Sequence, residues 1–283
     1  MEVTTIGLGL AKNVFQVHGI TEDEEVAFNR TLRRAQLLTF FSKLEPCLIG
    51  MEACSSAHHW GRELTALGHD VRLMPPIYVK PYVKRGKSDA IDAEAICEAV
   101  TRPTMRFVAI KTVKQQALLS LHRARALLVR QRTLLINSLR GLVAEFGVYI
   151  AKGLARIIGF AEDILVGEVL DLPKIANEVI HNLCEHLMAL HTRIRWYENR
   201  LKLVAKEDAR VRLLRTIPGV GVVTASAIIA SIGDGHQFSS GREFAAWLGL
   251  TPANKSSGGK EKLGRITTLS GHCCAIPCRA VNG

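Results

Sequence analysis

The sequence has no CxxC pair, no run of about 18 uninterrupted apolar residues, and few aromatic side chains, 6% of the total. Without paired cysteines at ligand spacing a zinc-finger or zinc-ribbon framework is excluded, and seven cysteines, an odd number, argue for reduced thiols rather than a disulfide scaffold. His272 stands beside Cys273 and Cys274, but adjacent cysteines seldom point at one tetrahedral ion. Without a long apolar run no membrane-spanning helix is expected. The start MEVTTIGLGLAKNVF also lacks the basic region, apolar stretch and small-residue cleavage site of an export signal, so a cytoplasmic protein is expected.

What is present is bulk and positive charge. The 283 residues exceed one ordinary domain of roughly 100 to 200, so two or three units with real cores are expected. Hydrophobic residues at 48% against 22% charged exclude general disorder. Thirty-seven basic against 26 acidic side chains leave a formal charge of +11, which calls for a polyanionic partner, nucleic acid or an acidic membrane surface.

Residues 3–30 alternate as two or three strands that suit an antiparallel meander, followed by helical spacing at 33–44, a buried strand at 47–52, a helix at 57–67 stopped by Gly68, and the strand DVRLM. Strands followed by alternating helix and strand suggest an α/β core of the RNase H kind. PPIYVKPYVKRGK, with three prolines and Lys84, Arg85 and Lys87, reads as an exposed basic loop. Ser88 then caps a helix from Asp89 to Val100.

A long amphipathic helix follows from Val113 to Phe146. No carboxylate interrupts the chain between Glu98 and Glu145, so Arg102, Arg106, Lys111, Lys114, Arg123, Arg125, Arg130, Arg132 and Arg140 suit a ridge along a nucleic-acid backbone. A solvated helix face is the alternative, because no aromatic residues interleave for stacking. Residues 150–172 read as irregular, and 175–205 as a second long helix antiparallel to the first, a hairpin or coiled coil suited to self-association.

Three constellations carry chemistry. LLRTIPGVGVVTASAIIASIG has the form of a helix-hairpin-helix: Pro218, Gly219 and Gly221 make a tight turn whose backbone amides can approach a phosphate. Glu52 at a strand end, with Asp89 and Asp92 three residues apart on a helix, suits a divalent cation, magnesium first, although Asp89 and Asp92 also read as ordinary first-turn helix charges. Ser256 and Ser257, on the turn SSGGK with Lys260, can approach a phosphodiester, although Ser-Gly clusters are common in plain loops.

IGLGLAKNVFQVHG, LIGMEAC, PPIYVKPYVKRGKSDAIDAEAICEA, TIPGVGVVTA, FAAWLGLTP and SSGGKEKLGRIT, in that order over nearly the whole chain, resemble the DEDD transposases of the IS110 insertion-sequence family, particularly its IS1111 group. The resemblance implies a RuvC-like, RNase H fold domain over 1–105, a helical coiled-coil region over 106–210, and a helix-hairpin-helix transposase domain with a nucleophilic serine over 211–283. It implies an acidic magnesium site in which Glu52, Asp89 and Asp92 match the second, third and fourth acids. The first acid, an Asp in the family, is Gly9 here. Ser257 matches the nucleophile, with Ser256 as its neighbour. The resemblance further implies that double-stranded DNA ends and target are held together on a structured guide RNA, by a homo-oligomer, with a phosphoserine link.

After GRIT the chain reads TLSGHCCAIPCRAVNG, with three cysteines, a proline and little helical periodicity. That resembles translation in a shifted frame, and with Gly9 it gives the expectation of a decayed copy with impaired recombination. Two other functions fit the same residues: a non-catalytic DNA- or RNA-binding protein that competes with intact relatives, and a RuvC-like junction nuclease independent of the serine.

Overall fold

The computed structural model describes residues 2–84, 86, 88–233, 235–254 and 263–266. The chain divides at Val113 into two compact units.

The first unit is built on a five-stranded sheet. β1 (Thr5–Gly9), β2 (Val14–Ile20) and β3 (Val26–Arg33) form the expected antiparallel meander, with Gly9 opposite Gln16. A 3-10 turn and the short α1 (Leu37–Phe41) lead to β4 (Leu48–Glu52), which pairs parallel to β1 with Leu8 opposite Met51. α2 (Ala57–Ala66) crosses over to β5 (Asp70–Met74), parallel to β4. Gly68, at φ +98°, turns the chain after α2 in a conformation that a Cβ would strain. The order is β3-β2-β1-β4-β5, a mixed α/β arrangement consistent with the RNase H-like expectation.

Period-two alternation divides the sheet into two faces. Ile6, Leu8, Phe15, Val17, Ile49, Met51 and Leu73 pack with Leu37, Phe41, Trp60 and Leu64 in the main core on one side. On the other side lies α4 (Asp89–Val100), capped as expected by Ser88, whose Oγ accepts from the Ile91 amide at 3.3 Å. Its Ala95, Ile96, Ala99 and Val100 form a second buried cluster with Met74 and Val79.

The segment 75–84 is exposed at Ile77, Tyr78, Lys80, Pro81 and Lys84, as expected, but its first part forms helical turns rather than plain loop. Pro76 occupies the first turn of α3 (Pro76–Val79), where its missing N–H costs nothing, and a 3-10 turn follows at Lys80–Tyr82. Val79, 1% exposed, anchors the segment in the second cluster. Farther on, the chain is bound back to the sheet and to α2. The Val108 amide donates to the Leu73 carbonyl at 2.7 Å, the Lys111 amide to His58 Nδ1 at 3.2 Å, and Arg62 to the Lys111 carbonyl at 2.6 Å.

The second unit is helical. α5 (Val113–Ala144), α6 (Leu154–Leu165) and α7 (Lys174–Glu207) share one core, in which Ile136, Leu139 and Val143 meet Ile157, Ala161 and Ile164, and Ile180, Cys184 and Leu187. The end of α5 thus packs on the beginning of α7, the antiparallel pairing expected. α6 corrects the reading of 150–172 as irregular: LARIIGFAEDIL buries one face at three- and four-residue steps, and Gly153, at φ +112°, opens the helix. α8 (Ala209–Leu214), α9 (Val222–Ile232), α10 (Gly241–Trp247) and the antiparallel pair β6 (Pro252–Asn254) and β7 (Leu263–Ile266) follow.

Candidate active site

Glu52, Asp89, Asp92 and Gly9 meet at one end of the five-stranded sheet. β1 and β4 run parallel and in register, so Gly9 and Glu52 emerge side by side at their C-terminal ends. Both face α4 by strand alternation, as do Gly7 and Gly50 one pleat earlier. A Cβ on Gly7 would stand 2.0 Å from the Ala93 carbonyl oxygen, and one on Gly50 would stand 2.8 Å from Val100 Cβ. These two glycines let α4 lie close against the sheet, and that closeness carries its first turn, with Asp89 and Asp92, to the strand ends.

The result is a cleft of about 80 Å³ lined by Gly9, Gln16, Glu52, Cys54, Asp89 and Asp92, with apolar walls from Leu10 and Ile96. Asp89 and Asp92 are in the first turn of α4, where the helix dipole favours negative charge. Burial first, and the charge of Asp92 second, push the Glu52 carboxyl above its ordinary range. Burial, and then Glu52, likewise raise the Cys54 thiol. The expected carboxylates therefore share a cleft, and Asp92 acts on Glu52 through its charge. They do not close into a ligand set: among the described residues no group of three His, Cys, Asp or Glu side chains is arranged to hold a metal ion.

The chemistry of the donors nonetheless fits a divalent cation. Carboxylate oxygens are hard ligands, and a cation would offset both the burial and the Asp92 charge that raise the Glu52 carboxyl. Gln16 and Cys54 were not singled out from the sequence. Gln16 was within reach of it, since a residue between core-facing Phe15 and Val17 must face the side where Gly9 lies.

The residues assigned to nucleic acid divide. Lys84 is exposed and ion-paired with Glu94. Arg85 and Lys87 lie outside the described residues, as do Ser256, Ser257, Lys260 and the tail after GRIT. The basic stretch after Glu98 is not a continuous ridge. Arg102 pairs with Glu98, Lys111 is 4% exposed, Arg125 pairs with Glu198 at 2.6 Å, and Arg140 donates to the carbonyls of Ala151 and Gly153. Arg123 and Arg130 remain exposed on α5.

Pro218, Gly219 and Gly221 form the exposed turn between α8 and α9. Gly219 has φ +82°, and the Val220 amide closes the turn on the Ile217 carbonyl at 3.1 Å. Gly221 begins α9 with no side chain capping its amides, and a Cβ at either glycine would meet nothing within 4 Å. Positive φ explains Gly219; no intramolecular packing requires Gly221.

Two family models match the chain. Residues 6–147 match the transposase model DEDD_Tnp_IS110, and residues 211–271 match the model described as "Transposase IS116/IS110/IS902 family". A "Probable family 20 transposase" of Pseudomonas aeruginosa is 49% identical over 268 residues, 94% of this chain and 79% of the relative. The "Putative transposase y4pF/y4sB" of Sinorhizobium fredii is 43% identical over 94% of this chain and 68% of its own length. The "Transposase for insertion sequence element IS1111A" of Coxiella burnetii is 41% identical, over 93% and 72%.

Proposed function

The chain belongs to the IS116/IS110/IS902 family of insertion-sequence transposases, and from that membership we propose that it binds element ends and target DNA with a recombination site weakened at Gly9. The observation that carries this reading is the cleft in which Glu52, Asp89 and Asp92 gather with Gly9 where a fourth carboxylate would stand. The division into a RuvC-like domain over 1–105, a helical region over 106–210 and a transposase domain over 211–283 goes with it.

Glu52, Asp89 and Asp92 would hold magnesium in that cleft. When bound, such an ion polarises a phosphodiester oxygen and steadies the charge that develops at phosphorus. The protein's own groups do the rest. Ser257 is the nucleophile, its Oγ displacing a strand oxygen at phosphorus to leave a phosphoserine ester, and Lys260 offsets the phosphate charge. The open turn at Pro218, Gly219 and Gly221 presents uncapped amides of α9 to a backbone phosphate. Lys84, Arg85, Lys87, Arg123 and Arg130 add sequence-independent attraction for DNA and for a structured guide RNA. A homo-oligomer would bring two ends together.

Gly9 also favours a second reading, a non-catalytic DNA- or RNA-binding protein that occupies the ends or guide of intact relatives. The test is a covalent-adduct assay on end-containing DNA with the element's guide RNA and magnesium. Recombination predicts a protein-DNA adduct that is lost in Ser257→Ala. Salt-dependent binding with no adduct selects the second reading, and an adduct undiminished in Ser257→Ala removes Ser257 from the reaction.

A further inference from the structure

The basic face of α5 has no aromatic residue within it, but the fold supplies aromatics from α7. Trp196 and Tyr197 of α7 meet Ala124, Leu127 and Leu128 of α5 along a groove of about 380 Å³, with Arg193 in its lining. Trp196 is 54% exposed. Tyr197 braces it edge-on, with ring centroids 4.8 Å apart and planes at 86°, and the Arg200 guanidinium carbon lies 5.9 Å from its ring centre.

Charge around the groove has one sign. Segments 120–135 and 190–203 carry eight lysines and arginines and a single carboxylate, Glu198, which is already paired with Arg125. Exposed Arg130 lies one helical turn from Leu127, beside the groove rather than in its lining, within reach of a strand that leaves it. The same groove of a second copy, laid on this one about a two-fold axis, would set cations against cations. A nucleotide meets both features, with an apolar ring face for the floor and an anion for the rim.

We propose that the groove takes one unpaired nucleobase of a polynucleotide strand, stacked on Trp196, with the neighbouring phosphates at Arg193 and Arg130. The inference rests on the nucleic-acid-binding part of the function proposed above and is independent of the recombination chemistry. Base-aromatic stacking is tolerant of base identity, so the groove recognises an unpaired conformation rather than a sequence.

The experiment uses the full chain with fluorescein-labelled oligo(dT), oligo(U) and a blunt DNA duplex, read by anisotropy at fixed salt and by tryptophan emission. Both unpaired probes should quench tryptophan emission in the unmodified protein. Trp196→Ala should abolish most of the quenching and weaken binding of unpaired probes about ten-fold, with duplex affinity unchanged. Trp196→Phe should recover most of the lost affinity, and Arg193→Glu should weaken binding further. A stronger effect on oligo(U) than on oligo(dT) would support the groove as an RNA site, and the reverse a DNA site. Equal affinity of Trp196→Ala and the unmodified chain for unpaired probes overturns the inference, as does a loss shared equally with duplex. So does a change in sedimentation of Trp196→Ala with unaltered oligonucleotide binding, which would assign the groove to self-association. An unmodified chain that binds duplex but no unpaired probe overturns this inference alone; one that binds neither removes the proposed function as well.

Discussion

Gly9 faces Gln16 across β1 and β2, and a Cβ built on Gly9 would stand 3.6 Å from Gln16 Cβ and 3.8 Å from Ala93 Cβ. These are ordinary contact distances, so the position accepts a Cβ without moving the strand or α4, and the cleft lies open beyond it. Gly9→Asp is therefore expected to fold and to place a fourth carboxylate in the cleft. Calorimetric titration with magnesium or manganese should show at least a ten-fold gain in affinity, of the order one added carboxylate ligand brings, and strand exchange should accelerate with it. Unchanged affinity in a folded Gly9→Asp protein would show that position 9 does not face the cation.

Gly7 behaves in the opposite way. Its Cβ would sit 2.0 Å from a main-chain oxygen of α4 and 2.5 Å from the Cys97 amide nitrogen, neither of which can swing aside. Gly7→Ala should cost about 2–3 kcal/mol, read as a lower denaturant midpoint, and should lower cation affinity as the first turn of α4 is displaced. Retention of both stability and affinity would mean that the helix is not seated by this glycine.

The raised Glu52 carboxyl sets a pH dependence with a definite sign. The folded protein holds this proton more tightly than the unfolded chain, so the contribution is complete below the ordinary glutamate value of 4.5 and is lost as pH rises through the higher folded value. Without divalent cation, Glu52→Gln should therefore be at least as stable as the unmodified chain at neutral pH. Millimolar magnesium should raise the melting temperature of the unmodified protein and leave Glu52→Gln almost unmoved. Equal cation responses in the two proteins would count against Glu52 as a ligand.

In the helical unit the acid response runs the other way. His122 is buried, its Nε2 lies 3.2 Å from Ser226 Oγ, and burial followed by Arg125 lowers its pKa to about 4. The depressed folded value gives stability that is present above the ordinary 6.5 and is lost as pH falls through the folded value of about 4, on the order of 3 kcal/mol in all. Chemical denaturation followed by helical circular dichroism should show this loss, and His122→Leu should flatten it. A slope that persists in His122→Leu would place the titration elsewhere.

Much of the first unit is legible along the chain because its signals are local. Strand patterning marks β1 through β3, a short apolar run marks β4, and Ser88 marks the start of α4. α3 is not legible, since three prolines suggest a loop and only the tertiary burial of Val79 makes that segment part of the core. α6 is short and diluted by Gly159, so its face emerges only against α5 and α7. At the site, Glu52, Asp89 and Asp92 stand out by residue type and by their match to a transposase motif. Their sharing of a cleft depends on how closely α4 approaches the sheet, which is set by Gly7 and Gly50, residues with no chemistry of their own. The basic stretch of α5 shows the same limit: the chain displays its charge, but which arginines are consumed by Glu198 or by main-chain carbonyls is decided by residues far away in sequence.

The cleft owes its shape to backbone glycines behind it, and its carboxylates repel one another. Folding therefore makes no demand for an acid at position 9, and the scaffold is indifferent to whether one stands there. The surrounding architecture would outlast any change of residue there, and an acid introduced at position 9 would meet an open socket.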